Sequence, residues 1–128
     1  MLVCDYVIRD AETQNKSVIG VFNSIFAQKF PVRHDRMHIF VSLTDGHGNY
    51  KATLRIRRAD GDTIFSQEGK LAMKDPLGVA DLNFQIRGLV IPEPGRYFVE
   101  FLCDDELIVD RGFDAVKIEQ KPKPEPGE

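Results

Sequence analysis

Short segments in which every second residue is apolar, each closed by a turn signal, recur along nearly the whole chain. Such alternation marks a strand with one buried face, because successive side chains point to opposite sides of a sheet. In residues 37–44, Ile39, Val41 and Leu43 share a face; in residues 50–58, Ala52, Leu54 and Ile56 do so while Lys51, Thr53 and Arg55 point the other way. Helical periodicity is nearly absent. Between these two runs lies Asp45-Gly46-His47-Gly48-Asn49, whose glycines supply the positive φ angles of a compact reversal. Ala59-Asp60-Gly61-Asp62 carries an Asp-Gly pair that favours a type I′ turn, so the strands flanking it should be antiparallel neighbours.

Eight strands are predicted, over about 2–9, 17–25, 37–44, 50–58, 63–73, 80–90, 96–103 and 107–118. Regular strands with no helix between them specify an all-β sandwich or barrel rather than a βα repeat. Gly69, inside the fifth strand, reads as a bulge. Pro92-Glu93-Pro94-Gly95 ends the sixth strand, and Asp104-Asp105 joins the last two by a tight hairpin. Leu43, Leu54, Ile56, Phe84, Tyr97, Val99 and Phe101 are the inward members expected to form one core between two antiparallel sheets. A chain of 128 residues suits a single domain, here residues 1–119. Residues 120–128, rich in proline and charge, are expected to be a disordered tail.

With 17 Lys and Arg against 20 Asp and Glu, the formal net charge of -3 removes the global attraction that drives nonspecific nucleic-acid binding. Arg55-Ile56-Arg57-Arg58 therefore reads as a solvated strand face, and no nucleic-acid partner is expected. Apolar stretches such as 39–43 and 88–91 fall far short of the roughly 18 to 20 residues of a membrane-spanning helix. The opening Met1-Leu2-Val3-Cys4-Asp5 lacks the features of a secretory signal, which makes the cytoplasm the expected location. There Cys4 and Cys103, spaced neither as a CxxC pair nor as a zinc set, are expected to be free thiols.

The catalytic inventory is thin. No GxSxG elbow presents a serine, and the only histidines are His34, His38 and His47. His34 and His38 lead into a strand, where residues four apart share a face but lie roughly 13 Å from each other, too far for one metal ion. Both read as surface histidines. Gly46-His47-Gly48 lacks the following helix that would cradle a phosphate. No catalytic, cofactor or metal residue is assigned, and the protein is not expected to be an enzyme.

The opening Cys4-Asp5-Tyr6-Val7, then Ile19-Gly20-Val21-Phe22-Asn23-Ser24-Ile25, Phe30-Pro31, the Asp60-Gly61 hairpin and Pro94-Gly95-Arg96-Tyr97 form a recognisable series. Over about residues 3–118 the chain resembles a family of small bacterial proteins of unknown function. The resemblance implies an immunoglobulin-like sandwich and a bacterial origin, and it brings no catalytic residues.

Strand parity then divides the loops between two ends. Loops 10–16, 44–49, 74–79 and 104–106 carry Asp10, Glu12, Asp45, Asp75, Asp104, Asp105 and Glu106 against Lys16 and Lys74. Loops 26–36, 57–62 and 91–96 carry Lys29, Arg33, Arg36, Arg57, Arg58 and Arg96 against Asp35, Asp60, Asp62 and Glu93. Loops on a rigid scaffold commonly hold binding residues. The expectation is a noncatalytic protein-interaction or structural module that meets another protein through Asp45, His47, Asp104, Asp105 and Glu106. The alternative is a calcium- or lipid-responsive C2-like domain, although no Asp-x-Asp-x-Asp loop supplies the several oxygens that calcium needs. No oligomeric state follows from the sequence.

Overall fold

Among the described residues, the alternating runs fold as nine strands in two sheets. The computed structural model describes residues 1–75 and 77–119, so the tail expected over 120–128 lies outside the described residues. The strands are β1 (Leu2–Arg9), β2 (Lys16–Val21), β3 (Ser24–Ala27), β4 (Val32–Thr44), β5 (Gly48–Arg58), β6 (Thr63–Met73), β7 (Val79–Ile91), β8 (Gly95–Cys103) and β9 (Glu106–Lys117). One sheet has the order β2-β1-β4-β7 and the other β3-β9-β8-β5-β6. Pairing is antiparallel except between β3 and β9, which run parallel, a correction to the expected purely antiparallel sheets.

The predicted second strand is two strands in different sheets. Val21 lies opposite Cys4 in the four-stranded sheet, and Ser24 lies opposite Asp114 in the other. At the crossing, Phe22 N–H donates to Val3 O (3.0 Å) while Asn23 O accepts from Asp114 N–H (2.9 Å). Ile19, Val21 and Ile25 all occupy odd positions, so alternation runs through the break without marking it.

Strand β4, predicted as the third strand over 37–44, begins earlier, because Arg33-His34-Asp35-Arg36 hides a strand under charge. Here β4 pairs with β7 from Val32 opposite Ile91 to Thr44 opposite Val79. Inward positions on β7 change from even (Leu82, Phe84, Ile86) to odd (Leu89, Ile91) across Gly88, which has φ +65°. Glycine tolerates that angle without strain. A Cβ at Gly88 would also fall 2.6 Å from the Arg33 guanidinium.

The histidine reading is corrected as well. His38 is buried, with Nδ1 3.0 Å from Asn83 Oδ1, and the half-buried His34 packs 5.8 Å from Phe22 between ring centroids. His38 is thus not a surface histidine, and His34 is only partly exposed.

Of the predicted core, Leu54, Ile56, Tyr97, Val99 and Phe101 are essentially inaccessible, and Leu43 and Phe84 are partly buried against them. Met37, Ile39, Val41, Ile91 and Phe113 complete the centre, with Tyr97 stacked on Phe113 at 5.4 Å. Gly69 is not at a bulge. It lies in register opposite Ala52, and the irregularity in this pair of strands falls at Ile56/Arg57. Strands β5 and β6 are antiparallel neighbours as expected, but their turn is not type I′, since Gly61 alone has positive φ there; it is Asp104 and Asp105 that both adopt positive φ, 49° and 67°.

Candidate functional site

Two positive φ angles in succession define the type I′ turn whose twist suits a two-residue hairpin. Asp is one of the few residue types that visit this region readily, which accounts locally for the Asp104-Asp105 pair. Asp104 Oδ1 accepts from Lys51 N–H (2.8 Å), and Asp104 N–H donates to Lys51 O (2.9 Å). Lys51 Nζ lies 2.6 Å from Asp105 Oδ1, and this hydrogen bond raises the Lys51 pKa above its ordinary value. Glu106 is exposed.

Asp45 and His47 are also exposed, and the main chain of His47 is pinned to Tyr50, whose hydroxyl accepts from His47 N–H (3.0 Å) and donates to His47 O (2.9 Å). Cys103 lies opposite Ala52, which sets the Asp104-Asp105 turn level with Lys51. His47 is four residues away along the chain, about 13 Å if extended. The five predicted contact residues therefore form two groups rather than one cluster, and one group is engaged by a lysine.

The basic residues divide more sharply. Arg55 Nε and Nη2 and Arg57 Nε each lie 3.0 Å from Glu100 Oε1, and Glu100 is only 4% exposed. The Arg57 guanidinium stands 4.8 Å and that of Arg96 5.6 Å from the centre of the Phe98 ring. Arg96 also pairs with Asp114 at 3.2 Å, and Arg58 pairs with Glu93 and, at 3.8 Å, with Asp60. The basic run is thus an internally neutralised lattice rather than a freely solvated face.

Lys29, Arg33 and Arg36 differ. They line a cleft of about 810 Å³ bounded by Asp5 and Tyr6 of β1, by β3, by the connection after it and by the start of β4. Arg36 stacks on Tyr6 with its guanidinium carbon 3.8 Å from the ring centroid, a cation–π contact. Tyr6 and Phe26 are 43% and 54% exposed, unusual for large apolar rings. Among the described residues, neither these three cations nor the cleft's Asp5 and Asp35 have an ion-pair partner within 4.0 Å. His34 also lines the cleft, with Nε2 buried and unpartnered. The lining offers no serine or cysteine nucleophile.

Sequence reasoning placed Lys29, Arg33 and Arg36 at the basic end but missed Tyr6 and Phe26, which belong to strands in different sheets. The available signal was the charged run 33–36 leading directly into an apolar strand. Among the described residues no three His, Cys, Asp or Glu side chains converge to hold a metal ion. No helix among them is long and apolar enough to cross a membrane.

Residues 1–115 match the model of a family of unknown function, DUF6941. No curated protein matches the chain.

Proposed function

The chain belongs to DUF6941, a family of unknown function, and from that premise we propose a noncatalytic protein-binding module on an immunoglobulin-like sandwich, its cleft receiving an acidic segment of another protein. Two features support the fold reading. Neighbours β4-β7 in one sheet and β9-β8-β5 in the other repeat the B-E and G-F-C neighbours of such sandwiches. Tyr97, near the start of β8, donates its hydroxyl to Glu93 O at 2.6 Å, as in the tyrosine corner of that fold.

The observation that carries the binding reading is the contrast between paired and unpaired cations. Arg55, Arg57, Arg58 and Arg96 have carboxylate partners, whereas Lys29, Arg33 and Arg36 line a concavity without them. Cations left together beside exposed rings suit a partner with carboxylates and an apolar or aromatic side chain. Asp5 and Asp35 interrupt the positive field and disfavour a uniformly charged polyanion such as nucleic acid.

The test is titration with a panel of acidic, aromatic-containing peptides, followed by amide NMR. Shifts at Tyr6, Arg33 and Arg36 that weaken with salt, and that disappear in an Arg33→Glu, Arg36→Glu variant, are the expected result. If no peptide moves those resonances, the reading fails. Binding to phosphatidylserine vesicles only with calcium, together with a melting temperature raised by calcium over chelator, would establish the C2-like alternative instead.

A further inference from the structure

Strand β6 ends the five-stranded sheet, so among the described residues one side of its backbone has no neighbouring strand. At its middle, Glu68, Gly69 and Lys70 are all exposed. Within the chain Glu68 faces Thr53, and Lys70 faces another cation, Lys51, which is already bonded to Asp105. Among the described residues, neither Glu68 nor Lys70 has an ion-pair partner within 4.0 Å. An edge strand of eleven residues with unsatisfied donors and acceptors is a template for pairing.

We propose that β6 pairs antiparallel with β6 of a second copy of this chain, about a twofold axis at Gly69, and joins the two sheets into one. The charge pattern selects this register. With Gly69 on the axis, Glu68 stands directly opposite the second copy's Lys70, and Lys70 opposite its Glu68. A self-complementary patch is what a twofold interface requires, and directly opposed residues are close enough for unlike charges to attract.

Gly69 places no side chain at the axis, and nothing lies within 4 Å of where its Cβ would be. Beside it an apolar hollow lined by Ala52, Leu71, Leu82 and Phe84 stays open between β6 and β7. The second strand would cover its mouth. The other long edge, β7, is less suited, because its Asp81 is already held by Ser42 (2.8 Å) and Lys16 (3.5 Å).

Sedimentation equilibrium on the full chain, with far-UV circular dichroism to verify folding, tests this. The wild type should dimerise reversibly. Glu68→Lys and Lys70→Glu should each weaken association at least about tenfold, because both opposed pairs become like-charged. An equimolar mixture of the two variants should associate again, since one then presents two lysines to the other's two glutamates. A wild type that stays monomeric at about 1 mM, single variants that dimerise as well as wild type, or a mixture that fails to recover association would each overturn the proposal.

Discussion

Glu100 Oε1 lies 3.0 Å from Arg57 Nε on the outward face of the five-stranded sheet, with Arg55 held at the same distance, so one nearly inaccessible carboxylate anchors two arginines. The arrangement follows from register: Arg55 lies opposite Glu100 on the neighbouring strand, and Arg57, two residues on, shares its face. It converts a basic stretch into a neutral one, whereas in the cleft at the start of β4 Lys29, Arg33 and Arg36 have no ion-pair partner among the described residues.

Removing that carboxylate should be costly. Glu100→Ala leaves two guanidinium groups facing each other without the carboxylate they share. A fully buried pair broken this way loses about 3 to 5 kcal/mol. Because Arg55 and Arg57 side chains are 36% and 28% exposed, about 2 kcal/mol is expected after allowing for solvent screening. Arg55→Ala or Arg57→Ala alone should cost less, since the other arginine stays. Urea midpoints, free of added ionic strength, measure the order.

Tyr97→Phe deletes the 2.6 Å hydrogen bond to Glu93 O and should destabilise by about 1 kcal/mol. Burial raises the Tyr97 phenol above its ordinary pKa. A raised folded value means that its contribution is fully present below the unfolded pKa of about 10 and is lost as pH rises through the folded one. Urea unfolding of wild type and Tyr97→Phe between neutral and strongly alkaline pH should show this loss in the wild type alone.

The acidic turn should prove structural before anything else. Asp104→Asn with Asp105→Gly keeps type I′ chemistry and should hold stability within about 0.5 kcal/mol. Asp104→Lys with Asp105→Lys removes the acceptor for Lys51 N–H and the partner of its ammonium, and should lower the melting temperature where the Asn-Gly variant does not. Thermal unfolding of both double variants separates turn geometry from charge.

Asp10 closes the β1–β2 hairpin by accepting from the Glu12 and Thr13 N–H groups at 2.8 and 2.9 Å. The bonds from Thr13 and then Glu12 lower its pKa below the ordinary carboxylate value. Loop order is therefore complete above the unfolded pKa of about 3.9 and is lost as pH falls through the depressed folded value. The Thr13 amide resonance should titrate with that depressed value, and the Asp10-dependent transition should vanish in Asp10→Asn.

Cys4 and Cys103 are both free, and burial raises both thiols. Two thiols should react in denaturant without prior reduction, and both should react more slowly in the folded protein. A count below two would reveal a disulfide.

The sequence by itself determined what is local. Period-two alternation and turn residues located most strands, the Asp60-Gly61 and Asp104-Asp105 hairpins, and the inward set Leu54, Ile56, Tyr97, Val99 and Phe101. It could not reveal that Val21 and Ser24 join different sheets, because the same parity serves either side of a crossing. Nor could it place Arg36 on Tyr6 or Glu100 beneath Arg55 and Arg57, contacts between residues 30 and more than 40 positions apart. Strand pairing, the parity switch at Gly88 and the packing of one sheet on the other decided which charges meet a partner and which remain facing a cleft. Periodicity along one strand records which side is buried; the neighbour across the sheet is fixed only when the whole core closes.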